Sequence, residues 1–222
     1  MIHSVNIAVH VIAATVALLL GFVIIFTRKG SKSHSRLGRY FVILLSVVVL
    51  TGFVGWLFFR SNAFLLMLTL LAGYNGYSGY RAIQLREHRS SGRDVVIAFT
   101  ILSVGVLYMV WLNRSNATWN PSVVYPTLFG LVLVTVYDLV KYFWLHSRIK
   151  SWWLYEHIYK ILSAHSALFS AFCGTVFPDY KPFSQIGPSV LSIWLIIFFI
   201  FQQTRKRHKL AKATQVVLPV SD

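Results

Sequence analysis

The chain has 222 residues, 56% of them hydrophobic and 12% charged, with a mean hydropathy of +0.64. Soluble domains carry about a quarter charged residues and disordered chains carry few aromatics, so both classes are excluded. Lysine plus arginine outnumber aspartate plus glutamate 21 to 6, a net charge of +15 that has to be located before it can be interpreted.

A membrane span takes about 20 apolar residues. Seven apolar segments follow one another, at 5–27, 40–59, 63–84, 95–112, 123–145, 152–177 and 186–203. The first follows MIHSVN, which has no lysine or arginine, so it reads as a retained helix and not as a cleavable signal. The short gap Arg60-Ser61-Asn62 predicts a close hairpin between the second and third segments. Pro121, Pro126, Pro178, Pro182 and Pro188 fall at or near segment ends, where proline is tolerated. The longest loop, 113–122, is too short for a soluble domain. Cys173 is the single cysteine, so no intrachain disulfide forms, and its apolar setting reads as packing. The expected fold is all-α, a polytopic membrane helix bundle with seven transmembrane helices. It is one domain over 1–205, followed by a basic tail, 206–222.

Seventeen of the 21 basic residues fall in the loops after segments one, three and five and in the tail. Arg60, Arg114, Lys181 and the intrahelical Lys160 make up the remainder. Positive charge stays cytoplasmic, which predicts the N-terminus outside and the C-terminus in the cytoplasm. Trp111, Trp119, Trp144, Trp152 and Trp153 sit near segment ends, where indoles favour the interface. The charge therefore reads as orientation plus attraction to anionic lipids at the cytoplasmic face. The tail RKRHKLAK reads as a membrane anchor, not a nucleic-acid arm. Two sequons, at Asn113 and Asn116, lie in an outside loop and matter only in a eukaryotic secretory protein.

Ionisable groups inside a membrane are costly and are functional candidates by default. Segment three ends GYNGYSGYR, with Gly73, Gly76 and Gly79 alternating with Tyr74, Tyr77 and Tyr80. Such small-residue spacing lets another helix approach; with Asn75 and Arg81 the same stretch could wall a polar cavity. Asp138 lies about 10 Å from the inner end of segment five, and Arg81, Lys141 and Lys160 are its candidate partners. Glu156 and Lys160 are four apart and can pair along segment six. His157 and His165 on that segment differ by about 80° and about 12 Å, too far to share one metal ion. His3 and His10 belong to the outer half. The expected constellation is a cytoplasm-facing polar pocket of Tyr77, Tyr80, Arg81, Asp138, Glu156, His157 and Lys160, with His34 folding under it. His10, His157 and His165 are candidate single ligands for a metal ion or heme.

No phosphate-binding loop, CxxC pair, HExxH or nucleophile elbow is present. The last segment lacks the Schiff-base lysine of a retinal protein, and the ionic helix-end motifs of receptors are missing.

At KGSKSHSRLGRYFV, GYRAIQL and WWLYEHIYKILSAHSALFSAF the chain resembles an uncharacterised family of bacterial polytopic inner-membrane proteins. The matching features are His10, Lys29, Gly30, His34, Gly38 and Arg39, then Gly79-Tyr80-Arg81, Asp94, Trp152, Trp153 and His157. The chain departs from the pattern at Ile158-Tyr159-Lys160, where a methionine is expected after the histidine. The resemblance implies a bacterial inner membrane and carries no activity. Three functions are expected in descending order. The first is an intramembrane site for a small ligand, metal or redox cofactor, with His157 as ligand or proton carrier, Asp138 and Glu156 as acids and Arg81 as anion clamp. The second is a small proton-coupled transporter. The third is a non-catalytic subunit or assembly factor, with a membrane-protein partner or a second copy of itself.

Overall fold

The computed structural model describes residues 1–59, 63–115 and 120–217. The expected turn at Arg60-Ser61-Asn62, the sequon at Asn116 and the interfacial Trp119 lie outside the described residues. Among the described residues the regular structure is helix without strand. The long helices are α1 (Ile2–Phe26), α2 (Lys32–Phe59), α3 (Ala63–Leu85), α4 (Gly92–Arg114) and α5 (Pro121–Val140). A π-helical turn, Lys141–Leu145, a short α6, His146–Ile149, and a 3-10 turn, Lys150–Trp152, lead into α7 (Trp153–Val176). A second 3-10 turn, Pro178–Tyr180, precedes α8 (Phe183–Val217).

Five stretches among the described residues are long and apolar enough to cross a membrane: Ile2–Phe26, Lys32–Phe59, Gly92–Arg114, Pro121–Val176 and Phe183–Lys209. The protein is therefore a multi-pass helical membrane protein, with five such stretches where the sequence leads to an expectation of seven. Two physical causes account for the difference. In α3, Gly, Tyr, Asn and Ser dilute the C-terminal half. Pro121–Val176 is one helical run of 56 residues, yet it is not one rod. Lys160 Nζ donates to Asp138 Oδ1 at 2.6 Å, across 22 residues, where a straight helix would separate them by about 33 Å. The chain folds back through the π turn and the short helices, and α5 and α7 form a hairpin.

Helix ends also differ from the hydropathy limits. Ser31 Oγ accepts from the His34 backbone N–H at 3.1 Å and caps α2 at its first turn. So α2 starts eight residues before its apolar stretch, and His34 is helical. At the end of α1, Lys29 Nζ donates to the carbonyls of Ile24 and Ile25 at 2.9 and 2.7 Å. A cation there meets carbonyls that have no helical partner. α4 opens on a capping box of Ser91 and Asp94. Pro126 and Pro188 lie inside α5 and α8, one turn past where the sequence placed them. α8 continues through the basic segment that was expected to begin a separate tail at 206.

α3 packs chiefly against α7 and α2, and α1 against α2. Glycines set these approaches. A Cβ at Gly76 would collide with Leu45 of α2, one at Gly73 would press Val49 at 3.1 Å, and one at Gly79 would meet Lys160 Cβ of α7 at 2.9 Å. The expected seam on α3 therefore exists, divided between two partner helices. The core it closes runs through Phe41, Leu45, Met67, Leu70, Leu131 and Ala164.

Candidate functional site

The C-terminal ends of α3 and α5 and the N-terminal ends of α4 and α7 meet at one end of the bundle. There each of three carboxylates receives one tyrosine and one cation. Asp138 accepts from Tyr74 at 2.7 Å and from Lys160 at 2.6 Å. Glu156 accepts from Tyr137 at 2.9 Å and, on both oxygens, from Lys141 at 2.6 Å. Asp94 accepts from Tyr77 and, through both oxygens, from Arg81 at 2.8 and 2.9 Å.

The local sequence explains how each triad assembles. Tyr74, Tyr77 and Arg81 are three and four apart and share a face of α3. Lys141 begins the π turn, an insertion that helices often carry at functional positions. Glu156 and Lys160 share a face of α7 but do not bind each other. Glu156 pairs with Lys141 and Lys160 with Asp138, so the expected i,i+4 pair is replaced by two cross-hairpin pairs. Of the candidate partners for Asp138, Lys160 is the one that meets it. Arg81 instead binds Asp94.

The three acids differ in how far they are satisfied. A carboxylate has about four lone-pair sites. Asp94 also accepts from the Ser91 backbone N–H and hydroxyl, both at 2.8 Å, and is saturated. Glu156 takes three donor contacts. Asp138 takes two among the described residues, and its side chain keeps 18% exposure where Lys160 keeps 3%. Spare acceptor capacity in this cluster is therefore greatest at Asp138.

A cavity of about 30 Å³ lies among these groups, walled by every triad member except Tyr137. That is about the volume of one liquid water molecule. Arg86 and His88, from the turn after α3, close its outer wall. The backbone of Arg86 is left-handed, φ 51°.

Of the sequence-expected site residues, Tyr77, Arg81, Asp138, Glu156 and Lys160 come together. Tyr80 and His157 do not reach the cavity wall. His157 Nδ1 donates instead to the Gly79 carbonyl, 3.0 Å. His34 bonds Thr27 Oγ1 at 3.3 Å and lines no part of the cavity among the acids. His165 Nε2 donates to the Leu18 carbonyl at 3.1 Å. Its ring occupies the space that Gly21 leaves open. His10 Nδ1 bonds Thr51 Oγ1 at 2.8 Å. Each imidazole is thus committed to a different helix neighbour. Among the described residues no three His, Cys, Asp or Glu side chains are placed to hold a metal ion. Tyr74, Tyr137 and Asp94 join the triads although the sequence left them outside the expected pocket, and Lys141, expected as a partner for Asp138, holds Glu156 instead. Asp94 also closes the capping box that opens α4.

No family model, no curated protein and no solved structure matches this chain.

Proposed function

We propose that this is a seven-span protein of a bacterial inner membrane, N-terminus outside and C-terminus in the cytoplasm, acting as a small proton-linked carrier. The α5–α7 hairpin adds one crossing to the five apolar stretches, and α3, packed between α2 and α7, adds another. This arrangement returns the basic loops and the charged cluster to one side, the side that retains positive charge.

The observation that carries the functional reading is the set of three tyrosine–carboxylate–cation triads around a water-sized cavity. Six ionised groups are more than helix adhesion requires, since neutral hydrogen bonds already join membrane helices. A charge-balanced network of this kind suits a moving proton. When Asp138 takes a proton, its attraction to Lys160 falls and the hairpin contact loosens. When it releases the proton, the contact reforms. Asp94, saturated by Arg81 and its cap, is the fixed point. The cavity is far below the roughly 300 Å³ at which drug-sized ligand sites begin, which favours proton or small-ion handling over a bound heme at this end.

The test uses proteoliposomes with an internal pH-sensitive dye. Asp138→Asn should abolish proton movement. Breaking a buried pair costs about 3–5 kcal/mol, whereas replacing both partners by apolar groups is often neutral. The double variant Asp138→Leu, Lys160→Met should therefore recover stability without recovering flux. Flux in the double variant at the native level would show that the triads only hold helices together.

A further inference from the structure

At the end of the bundle opposite the triads, α1 and α7 part. They touch where His165 reaches the Leu18 carbonyl. Beyond that point a cleft of about 520 Å³ opens between them, from Leu18 and Ala167 out to His3 and Val176. Fifteen residues of α1 correspond to about 22 Å of length. α2 and α3 floor the cleft, and the missing side chains of Gly52 and Gly55 deepen it. Its volume lies in the range of small-molecule sites, which are mostly apolar with a few placed polar groups. Among the described residues no aspartate, glutamate, lysine or arginine lines it. Its lips, among them Val11 and Phe172, are exposed apolar side chains, so the cleft opens sideways toward lipid chains.

The polar groups here have a definite polarity. Thr51 Oγ1 lies 2.7 Å from the Val47 carbonyl and 3.0 Å from that of Val48. A hydroxyl has one proton, and an oxygen this close to a carbonyl must give that proton to it. Thr51 can then only accept from His10, so His10 Nδ1 carries the hydrogen at the 2.8 Å contact. In the neutral ring Nε2 is left as an acceptor, and among the described residues it has no partner. Thr69 has also given its proton away, to the Leu65 carbonyl at 2.7 Å. Asn6 donates to the Thr51 carbonyl at 3.1 Å. The described residues of the cleft therefore offer acceptors along an apolar wall and no formal charge.

We propose that this cleft binds an uncharged, hydroxyl-bearing amphiphile of the bilayer, its chain along the apolar wall and its O–H donated to His10 Nε2. Lipid alcohols and quinols share that chemistry. The site is independent of the carrier reading, because it uses no residue of the triads.

The test uses the full chain in nanodiscs and a photoreactive long-chain alcohol, with its methyl ether as the donor-free control. The alcohol should label the α1 and α7 cleft segments saturably, and the ether should bind about 10-fold more weakly, as loss of one buried hydrogen bond requires. His10→Phe should bring the alcohol down to the ether. Ala171→Phe, which fills the cleft and leaves His10 intact, should weaken both. Competition by a quinol, a diacylglycerol and a polyprenol in separate arms then names the source. Equal labelling by alcohol and ether in the unaltered protein would overturn the proposal, whether or not the variants fold. So would labelling that rises without saturation, as bulk lipid does.

Discussion

Asn75 is the clearest case of a residue whose role is decided by what it lacks. It is 1% exposed, at mid-α3, and its Nδ2 donates to the Leu71 carbonyl at 3.0 Å. Its Oδ1 is buried with no partner among the described residues. An unsatisfied buried acceptor costs about 1–3 kcal/mol. Valine lacks such an atom and is closer to asparagine in volume than leucine is, so Asn75→Val should raise the unfolding free energy by about 1 kcal/mol and leave carrier activity intact. Thermal unfolding in detergent reads the first outcome and liposome flux the second. A loss of stability would mean that Asn75 holds an internal water or ligand. At this scale the sequence was half informative. It marked Asp138, Glu156 and Lys160 as charges out of place, because each interrupts an apolar run. It could not pair them. Spacing on one helix favours Glu156 with Lys160, but the π turn at Lys141 brings α5 close enough to capture both. Asp94 was hidden for another reason: a Ser-x-x-Asp start already has a complete local explanation as a capping box, and its second role needs α3 beside it.

Elements were legible where one apolar stretch makes one helix and obscure where backbone chemistry overrides hydropathy. α1 and α4 match their apolar stretches closely. α2 does not, since Ser31 starts it inside a basic segment, and α5 ends in a π turn that no apolar pattern signals. The glycine seam of α3 shows what a helix face can and cannot announce. Its spacing promised a close neighbour, and the structure supplies two, α2 at Gly73 and Gly76 and α7 at Gly79. The α7 contact is the less forgiving, because the atom met at 2.9 Å is Lys160 Cβ, next to the backbone. Gly79→Ala must push α7 away at the point where His157 binds the Gly79 carbonyl and Lys160 reaches Asp138. It should lower stability by about 1–3 kcal/mol, the range for overpacking, and should lower flux with it. Gly38, in α2, faces open space. There alanine should be neutral or better by about 0.5–1 kcal/mol, as helix propensity dictates. Denaturation of both variants in the same detergent separates a seam from a merely small residue. Equal effects would mean that the α3–α7 approach is looser than 2.9 Å implies.

For the whole molecule the open quantity is the number of crossings, and it turns on α3. Because α5 and α7 form a hairpin, that stretch crosses twice, and α3 decides between seven crossings and six. The loops between helices decide. With seven crossings α3 spans, the turn after it is cytoplasmic, and the loop after α4 is outside. With six, α3 does not span, the α5–α7 hairpin still crosses twice, and those two loops exchange sides. His88 and Asn113 are exposed residues in these two places. Cys173 is the single cysteine, so a Cys173→Ser background is thiol-free. In intact cells a membrane-impermeant maleimide should label Asn113→Cys, and should label His88→Cys only after permeabilisation. The reverse pattern would establish that α3 does not cross. It would also put Arg81, Arg86, Arg89 and Arg93 on the outer side, against the retention of positive charge. That conflict is the physical reason for expecting seven. Bringing those four arginines to the side of the remaining basic loops requires α3 to cross, despite the polar groups that dilute its hydropathy. Apart from Asn75 Oδ1, these polar side chains are satisfied within the bundle, Tyr74 and Tyr77 by Asp138 and Asp94 and Ser78 by the Tyr74 carbonyl at 2.8 Å. A helix whose polar groups are bonded internally needs less apolar surface to cross, because its neighbours, not lipid, are its solvent.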